Sequence, residues 1–561
     1  MKNLRKLSFA MFVLALISAC DSGDINIEPS TTDASTNNSV NNSNNTSPPA
    51  ATVNTCASYL NSGGQTIQGV VSGDNCTYAA TFVDVGNELT SDMTIPALAN
   101  GGAHVFAGSL IVGRSCDDNA CLTAAGITEG GDGPQLTVEA GATLAFATNA
   151  QFVAIHRGSQ LTAIGTAGAP ITFTSQSDVQ GTVGPEDVQQ WGGMLIAGFG
   201  IDNDCAYTGT LGTDLALTGE CHIPAEGLSG NAEIRYGGIN NADNSGRLEF
   251  VVIKHTGNQI GTGNELNGVT FGGVGSNTTI NNLQVYSTFD DGIELFGGAV
   301  NITNFVSLYA RDDSIDIDSG YRGTISNALV IQSEGDANHC IESDGIDGFS
   351  GKTAAEIELI IAQGINSRPT IENLTCIINA SSEDGTATAA PNTHGQGAGW
   401  RLREGIFPTI RNSMVIGTFA DKELASETNY CVRVDNRSQD GLAAGDVVLS
   451  ANIFSCYDNT NGATIGATTS EALIAAANQF VLGNGTTALN PTAALNTDLV
   501  LLEGTPPVNS VAFATMLVGG VAPTNAPVNA ATTIGSTFSA ADLAWTFGIV
   551  PANRSQALWF E

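Results

Sequence analysis

Seven carboxylates stand between Asp290 and Asp318: Asp290, Asp291, Glu294, Asp312, Asp313, Asp316 and Asp318, with Arg311 the one cation among them. They form two similar clusters, "FDDGIELFGG" and "RDDSIDIDSG". Glu342 repeats the position of Glu294 and Asp316 in "HCIESDG", and Arg401, Arg403 and Arg433 follow in "GWRLREG" and "YCVRVDN". Like charges one strand spacing apart repel by about 1 kcal/mol in water and several-fold more near a protein surface. A shared proton, a hard cation or neighbouring guanidinium groups relieve that repulsion. The reading adopted is a metal site of Asp290, Asp291, Glu294, Asp312, Asp313, Asp316 and Asp318 with Ca²⁺ as the ion. Glu294, Asp316, Glu342, Arg401, Arg403 and Arg433 form a row that binds an extended ligand. The alternatives are a catalytic carboxylate set and a plain solvated acidic surface.

Such a row needs elements that bring distant residues side by side. An aliphatic residue two before an Asn recurs in "TINNLQV", "NITNFVS", "TISNALV", "TIENLTC" and "TIRNSMV", at Asn282, Asn304, Asn327, Asn373 and Asn412. The steps are 22, 23, 46 and 39 residues. The first two fit one turn of a solenoid, and the third fits a turn plus an insertion. "GKTAAEIELIIAQG" supplies that insertion as a short helix, with Thr353 and Glu356 as a capping box. Between the Asn segments lie alternating strands at 267–273, 291–297, 313–319, 339–345, 399–405 and 430–436, each with one face to bury. Aligned on Val269, Ile293, Ile315, Ile341, Trp400 and Val432, they place Thr270, Glu294, Asp316, Glu342, Arg401 and Arg433 in one outward column about 4.8 Å apart. A second column holds Asn267, Asp291, Asp313 and His339.

The chain of 561 residues carries a net charge of −36, with only 19 Lys and Arg. Nucleic acid and anionic surfaces are therefore poor partners; divalent cations, cationic groups and neutral sugars suit better. Lys2, Arg5 and Lys6 precede an apolar run from Leu7 to Ala19 that is too short to span a bilayer. Residues 20–55, rich in Asn, Ser, Thr and Pro, read as a disordered tether. Apart from Cys20 there are ten cysteines and no CxxC. In an exported chain they pair as near neighbours: Cys56–Cys76, Cys116–Cys121, Cys205–Cys221, Cys340–Cys376 and Cys431–Cys456. Residues 56–134 read as an N-terminal cap with disulfide loops, 135–456 as the solenoid and 457–561 as a C-terminal cap. A second helix lies in "TTSEALIAAANQF", with Thr468 and Glu471 as its capping box. Trp191 is available to stack on sugar, and Trp400 belongs to the core. The six histidines lack metal-ligand spacing, and no GxSxG or P-loop is present.

Three resemblances add expectations. "LISAC" resembles the bacterial lipobox and implies a 1–19 signal peptide with lipid on Cys20. This makes the protein an exported, membrane-anchored lipoprotein of a Gram-negative bacterium, at the outer membrane or cell surface, touching the membrane through that anchor only. The repeats resemble the right-handed parallel β-helix of pectin-lyase-like proteins. That resemblance implies an all-β solenoid with short decorating helices, a ladder of Asn282, Asn304 and Asn327, and an extracellular glycan as partner. The chain is also similar to polygalacturonase-type glycoside hydrolases. Asp291, Asp312 and Asp313 match their acid and water-activating pair; Phe289-Asp290 stands where that family has Asn-Thr, and no Gly-His-Gly occurs. One alternative is thus a polysaccharide-degrading enzyme, glycoside hydrolase or lyase, using Asp291, Asp312 and Asp313; the other is a purely structural surface protein.

Overall fold

The computed structural model describes residues 54–228, 233–261, 264–333, 336–378, 398–417, 430–456, 458–480, 510–512, 533–539, 541–550 and 552–559. The leader, Cys20 and most of the tether lie outside them. The described residues form an all-β parallel β-helix. One sheet has ten strands, stacked from Leu110–Val112 through Val153–Ile155, Met194–Ala197, Val269–Gly272, Ile293–Phe296, Ile315–Asp318, Ile341–Asp344, Ala398–Arg403 and Tyr430–Val434 to Asp458–Thr460. A larger sheet of eighteen strands supplies the other sides of the coil.

The Asn repeat marks a bend in each long strand. Pairing runs on both sides of it, with Asn281 opposite Thr303 and Leu283 opposite Phe305. The residues between, Asn282 and Asn304, are left-handed, as are Asn327, Asn373 and Asn412, with φ between 53° and 58°. Asn tolerates this conformation better than other non-glycine residues. Phe250 and Ala451 take the corner in the flanking coils, at φ 50° and 58°, which is why the pattern fades there in the sequence. The amide ladder runs from Asn327 Nδ2 to Asn304 Oδ1 (2.6 Å) and from Asn304 Nδ2 to Asn281 Oδ1 (3.0 Å). Asn282 therefore supplies the corner, while its neighbour Asn281 supplies the last rung.

Beyond the corner the strands are apolar on both faces. Phe305, Ala328, Val330 and Leu374 face the coil interior, whereas Val306, Leu308, Leu329 and Ile331 face a second core on the outside. The segment 533–559 covers that outer wall. Its Ile534, Phe538, Leu543, Ile549 and Leu558 complete the second core. Gln284 fixes it by donating to Phe547 O and accepting from Phe547 N, both at 2.7 Å. Trp559 Nε1 donates to Gln332 O.

Three boundaries move from the sequence reading. Parallel stacking already begins with Asn75–Tyr78 on His104–Phe106 and Leu110–Val112 on Val153–Ile155, ahead of 135. Strands of three or four residues are too short to show alternation. It continues past 456, since Tyr430–Val434 pairs with Asp458–Thr460. Segment 533–559 is a lateral strap rather than an end cap, because the apolar wall it covers runs along the stack. The inserted helix is Ala354–Gln363 with the full Thr353–Glu356 capping box. The other helix, Ser470–Ala475, is capped by Thr469 instead of Thr468, and Glu471 turns aside to accept from Asn459 Nδ2. All five near-neighbour disulfides are formed. Cys340–Cys376 lies inside the coil, where Trp400 Nε1 points at Cys376 Sγ. Trp191 is fully buried, donates to Lys254 O at 2.7 Å and stacks on Phe146, so it offers no sugar platform.

Candidate functional site

The ten-stranded sheet places the charged column in register. Thr270 pairs with Glu294, Glu294 with Asp316, Asp316 with Glu342, Glu342 with Arg401 and Arg401 with Arg433. Their neighbours Val269, Ile293, Ile315, Ile341, Trp400 and Val432 are buried in the coil. Acids that are 22 or more residues apart in the chain thus become adjacent side chains on one wall.

The parallel column forms a ladder of its own. Asp291 N donates to Asn267 Oδ1 (3.1 Å), Asp313 N to Asp291 Oδ1 (2.9 Å) and His339 N to Asp313 Oδ1 (2.6 Å). Each side chain accepts the main-chain N–H stacked one coil on. Asp291 and Asp313 are therefore bound into the backbone.

The acidic end of the wall is partly enclosed, contrary to the outward face expected from alternation, although Asp290, Asp312, Asp316 and Asp318 stay half-buried. Asp291, Glu294 and Asp313 are only 6%, 5% and 2% exposed. The excursion carrying the Cys205–Cys221 bridge folds back over this face through the hairpin Ile223–Pro224 with Arg235–Tyr236. Tyr236 lies on the wall beside Phe296, ring centroids 6.0 Å apart. Gly272 makes room for it; a Cβ there would come within 2.7 Å of the Tyr236 ring. No spacing signal links position 236 to this wall.

Burial is the leading cause that lifts Asp290, Asp291, Glu294, Asp313, Asp316 and Asp318 well above the usual carboxylate range. Like charge adds to it: Asp312 beside Asp290, Asp290 beside Asp291, Glu226 beside Glu294 and Glu342 beside Asp316. Glu342 differs. Burial raises it, but His339, Arg403 and Arg401 bring it below its ordinary value.

Three groups of side chains converge closely enough to share an ion, with ligand atoms within 4.8 Å of one another: Asp290, Asp291 and Asp312; Asp291, Glu294 and Asp316; and Asp313, His339 and Glu342. The first two offer only carboxylate oxygens, the donor chemistry of a hard cation such as Ca²⁺. They share Asp291. The third includes an imidazole, and Glu342 is already engaged by guanidinium groups, so cation demand is weaker there. Asp318 enters none of the three groups. His339 is the residue the metal assignment missed, although it stands at the end of the Asn267, Asp291, Asp313 column.

The arginine end is paired throughout. Arg401 Nη1 lies 2.6 Å from Glu342 Oε1, and Arg403 Nη1 lies 3.0 Å from the same atom. Arg403 Nη2 also donates to Asp344 Oδ2 (2.8 Å), and Arg433 Nε lies 2.6 Å from Asp435 Oδ2.

A family model described as a pectate-lyase like beta helix domain matches residues 117–494. The chain belongs to this family. Membership agrees with the parallel coils, and the match extends on both sides of the 135–456 span read from the repeats. No curated protein matches the chain. Among solved structures, the crystal structure of an alginate lyase from Paenibacillus sp. str. FPU-7 is similar at 11% identity, over 62% of this chain and 95% of that one. Its TM-score is 0.21, and that likeness carries no argument here.

Proposed function

We propose that this family member is a lipid-anchored, exported protein that binds an extracellular polysaccharide along its ten-stranded sheet, with Ca²⁺ held in the acidic end of the wall. One observation carries the reading: a single registered column runs from Glu294, Asp316 and Glu342 into Arg401 and Arg433. Among the described residues, Glu294 and Asp316 show no guanidinium partner comparable to those on Glu342 and Asp344. These carboxylates need protons or a cation, and oxygen-only donor groups suit Ca²⁺. The lipid anchor rests on "LISAC" and on Cys20 standing apart from the ten cysteines that pair. A glycan array run with Ca²⁺ and with EDTA tests the binding. Retention of at least one polysaccharide is expected, and a blank array sinks the reading. Fatty-acid labelling that persists in Cys20→Ser would remove the anchor.

The hydrolase alternative, with Asp291, Asp312 and Asp313, is disfavoured by burial. Asp291 and Asp313 are enclosed and accept main-chain N–H bonds, where a general acid must reach its substrate.

A further inference from the structure

The wall divides by accessibility as well as by charge. Side chains of Asp313 and His339 are 3% and 2% exposed, while those of Arg401, Arg403 and Arg433 are 23%, 25% and 40% exposed and those of Glu342, Asp344 and Asp435 13–18%. A ligand arriving from solvent on this half of the wall meets these six groups already joined as ion pairs, with the guanidinium groups the most exposed. We infer that they recognise a neutral polysaccharide bearing vicinal hydroxyls, and that polyanionic glycans are rejected. The inference rests on the glycan-binding reading and specifies its ligand class.

The pairing itself decides the class. A sugar hydroxyl both donates and accepts, whereas an ionised sugar carboxylate only accepts. A guanidinium has five N–H groups and a carboxylate about four acceptor positions, so an Arg–carboxylate pair keeps free valences of both kinds. Adjacent hydroxyls can fill one of each without separating the pair. A sugar carboxylate can use only the free N–H groups, leaves the acceptor positions unfilled, and brings a further negative charge beside Glu342, Asp344 or Asp435. The net charge of −36 opposes the approach of a polyanion further. Asp291 and Glu294 are both buried, so a cation held between those two carboxylates is poorly placed to bridge to such a polymer. Glu342, Arg401 and Arg433 repeat from coil to coil at about 4.8 Å, so the recognition groups form a line suited to an extended chain running along the stack.

Affinity electrophoresis of the whole chain in Ca²⁺-containing gels can test this, with a soluble β-glucan and a galactomannan set against polygalacturonate and alginate. The expected result is retardation by a neutral polymer, equal at low and high salt, and none by the polyanions. Arg433→Gln, at the most exposed of the three arginines, should weaken that retention about ten-fold, the scale of one hydrogen bond to a charged group, with an unchanged melting temperature. Asp435→Asn, which keeps the shape of the pair, should weaken it as well. Preferential retardation by polygalacturonate or alginate overturns the inference and leaves glycan binding standing. Unchanged retention in both variants also overturns it. Retardation by no polymer at all overturns the binding reading itself.

Discussion

Asp313 and His339 meet across one coil step: Asp313 Oδ1 accepts the His339 main-chain N–H at 2.6 Å and faces His339 Nδ1 at 2.8 Å. One carboxylate oxygen thus serves both the backbone and the ring. The pair gives the acidic wall a structural duty that is independent of any ligand. Asp313→Asn keeps an acceptor at this point and should cost little stability. Asp313→Ala leaves the buried His339 main-chain N–H unserved and removes the contact to the ring, and should cost about 1–3 kcal/mol. Urea titration of both variants reads the difference. Release of reducing ends from uronate polymers by the native chain, lost in Asp313→Asn, would instead establish the hydrolase reading.

Ca²⁺ should raise the melting temperature and EDTA should lower it. A site loaded at 100 times its Kd contributes about 2.7 kcal/mol. Asp291 enters two of the three donor groups, so Asp291→Asn should remove most of the Ca²⁺ response. A native chain whose melting ignores both Ca²⁺ and EDTA has no such site.

His156 sets a pH dependence away from the wall. Burial, then the adjacent Arg157, lowers its pKa from 6.5 to about 4. The ring is neutral in the fold and takes up its proton on unfolding. Its contribution is therefore complete above about pH 6.5 and is lost as the pH falls towards 4, on the order of 3 kcal/mol in all. The wall acids, raised rather than lowered, act with the opposite sign. The informative quantity is thus the difference between the native chain and His156→Asn. That difference should shrink from pH 7 to pH 4, and a constant difference refutes the assignment.

The strap should be required for solubility. Leu543 is fully buried against the outer wall, so Leu543→Ala should cost about 2–5 kcal/mol. Ending the chain before 533 should expose Val306, Leu308, Leu329 and Ile331 and raise the binding of a hydrophobic dye. A truncated chain that stays soluble and dye-silent would show that the strap is dispensable.

The disulfide within the coil closes a 36-residue separation between Cys340 and Cys376. On chain-entropy grounds its replacement by alanines should cost about 4 kcal/mol, measured by denaturant midpoint.

Much of this architecture was legible from short-range pattern. Strand alternation gave the register from Val269 to Val432 residue for residue, because inward and outward positions have period two and each coil repeats them. Near-neighbour cysteines gave all five bridges, and the Thr353 cap gave its helix. The corner at Phe250 was hidden because a bulky residue stands where the repeat has Asn. The three-residue strands before 135 were hidden because so few positions carry no period.

The sequence by itself therefore determined the coil, its register and the order of charges along one wall, all of which follow from local periodicity. Only the tertiary structure decided which of those charges meet water. The Tyr236 hairpin and the 533–559 strap return from far along the chain to cover one face each, and burial depends on such long-range packing, which leaves no period in the sequence. That packing separates a more deeply buried acidic end, whose carboxyl pKa values are raised by burial and like charge, from a paired Arg–carboxylate end with more exposed guanidinium groups.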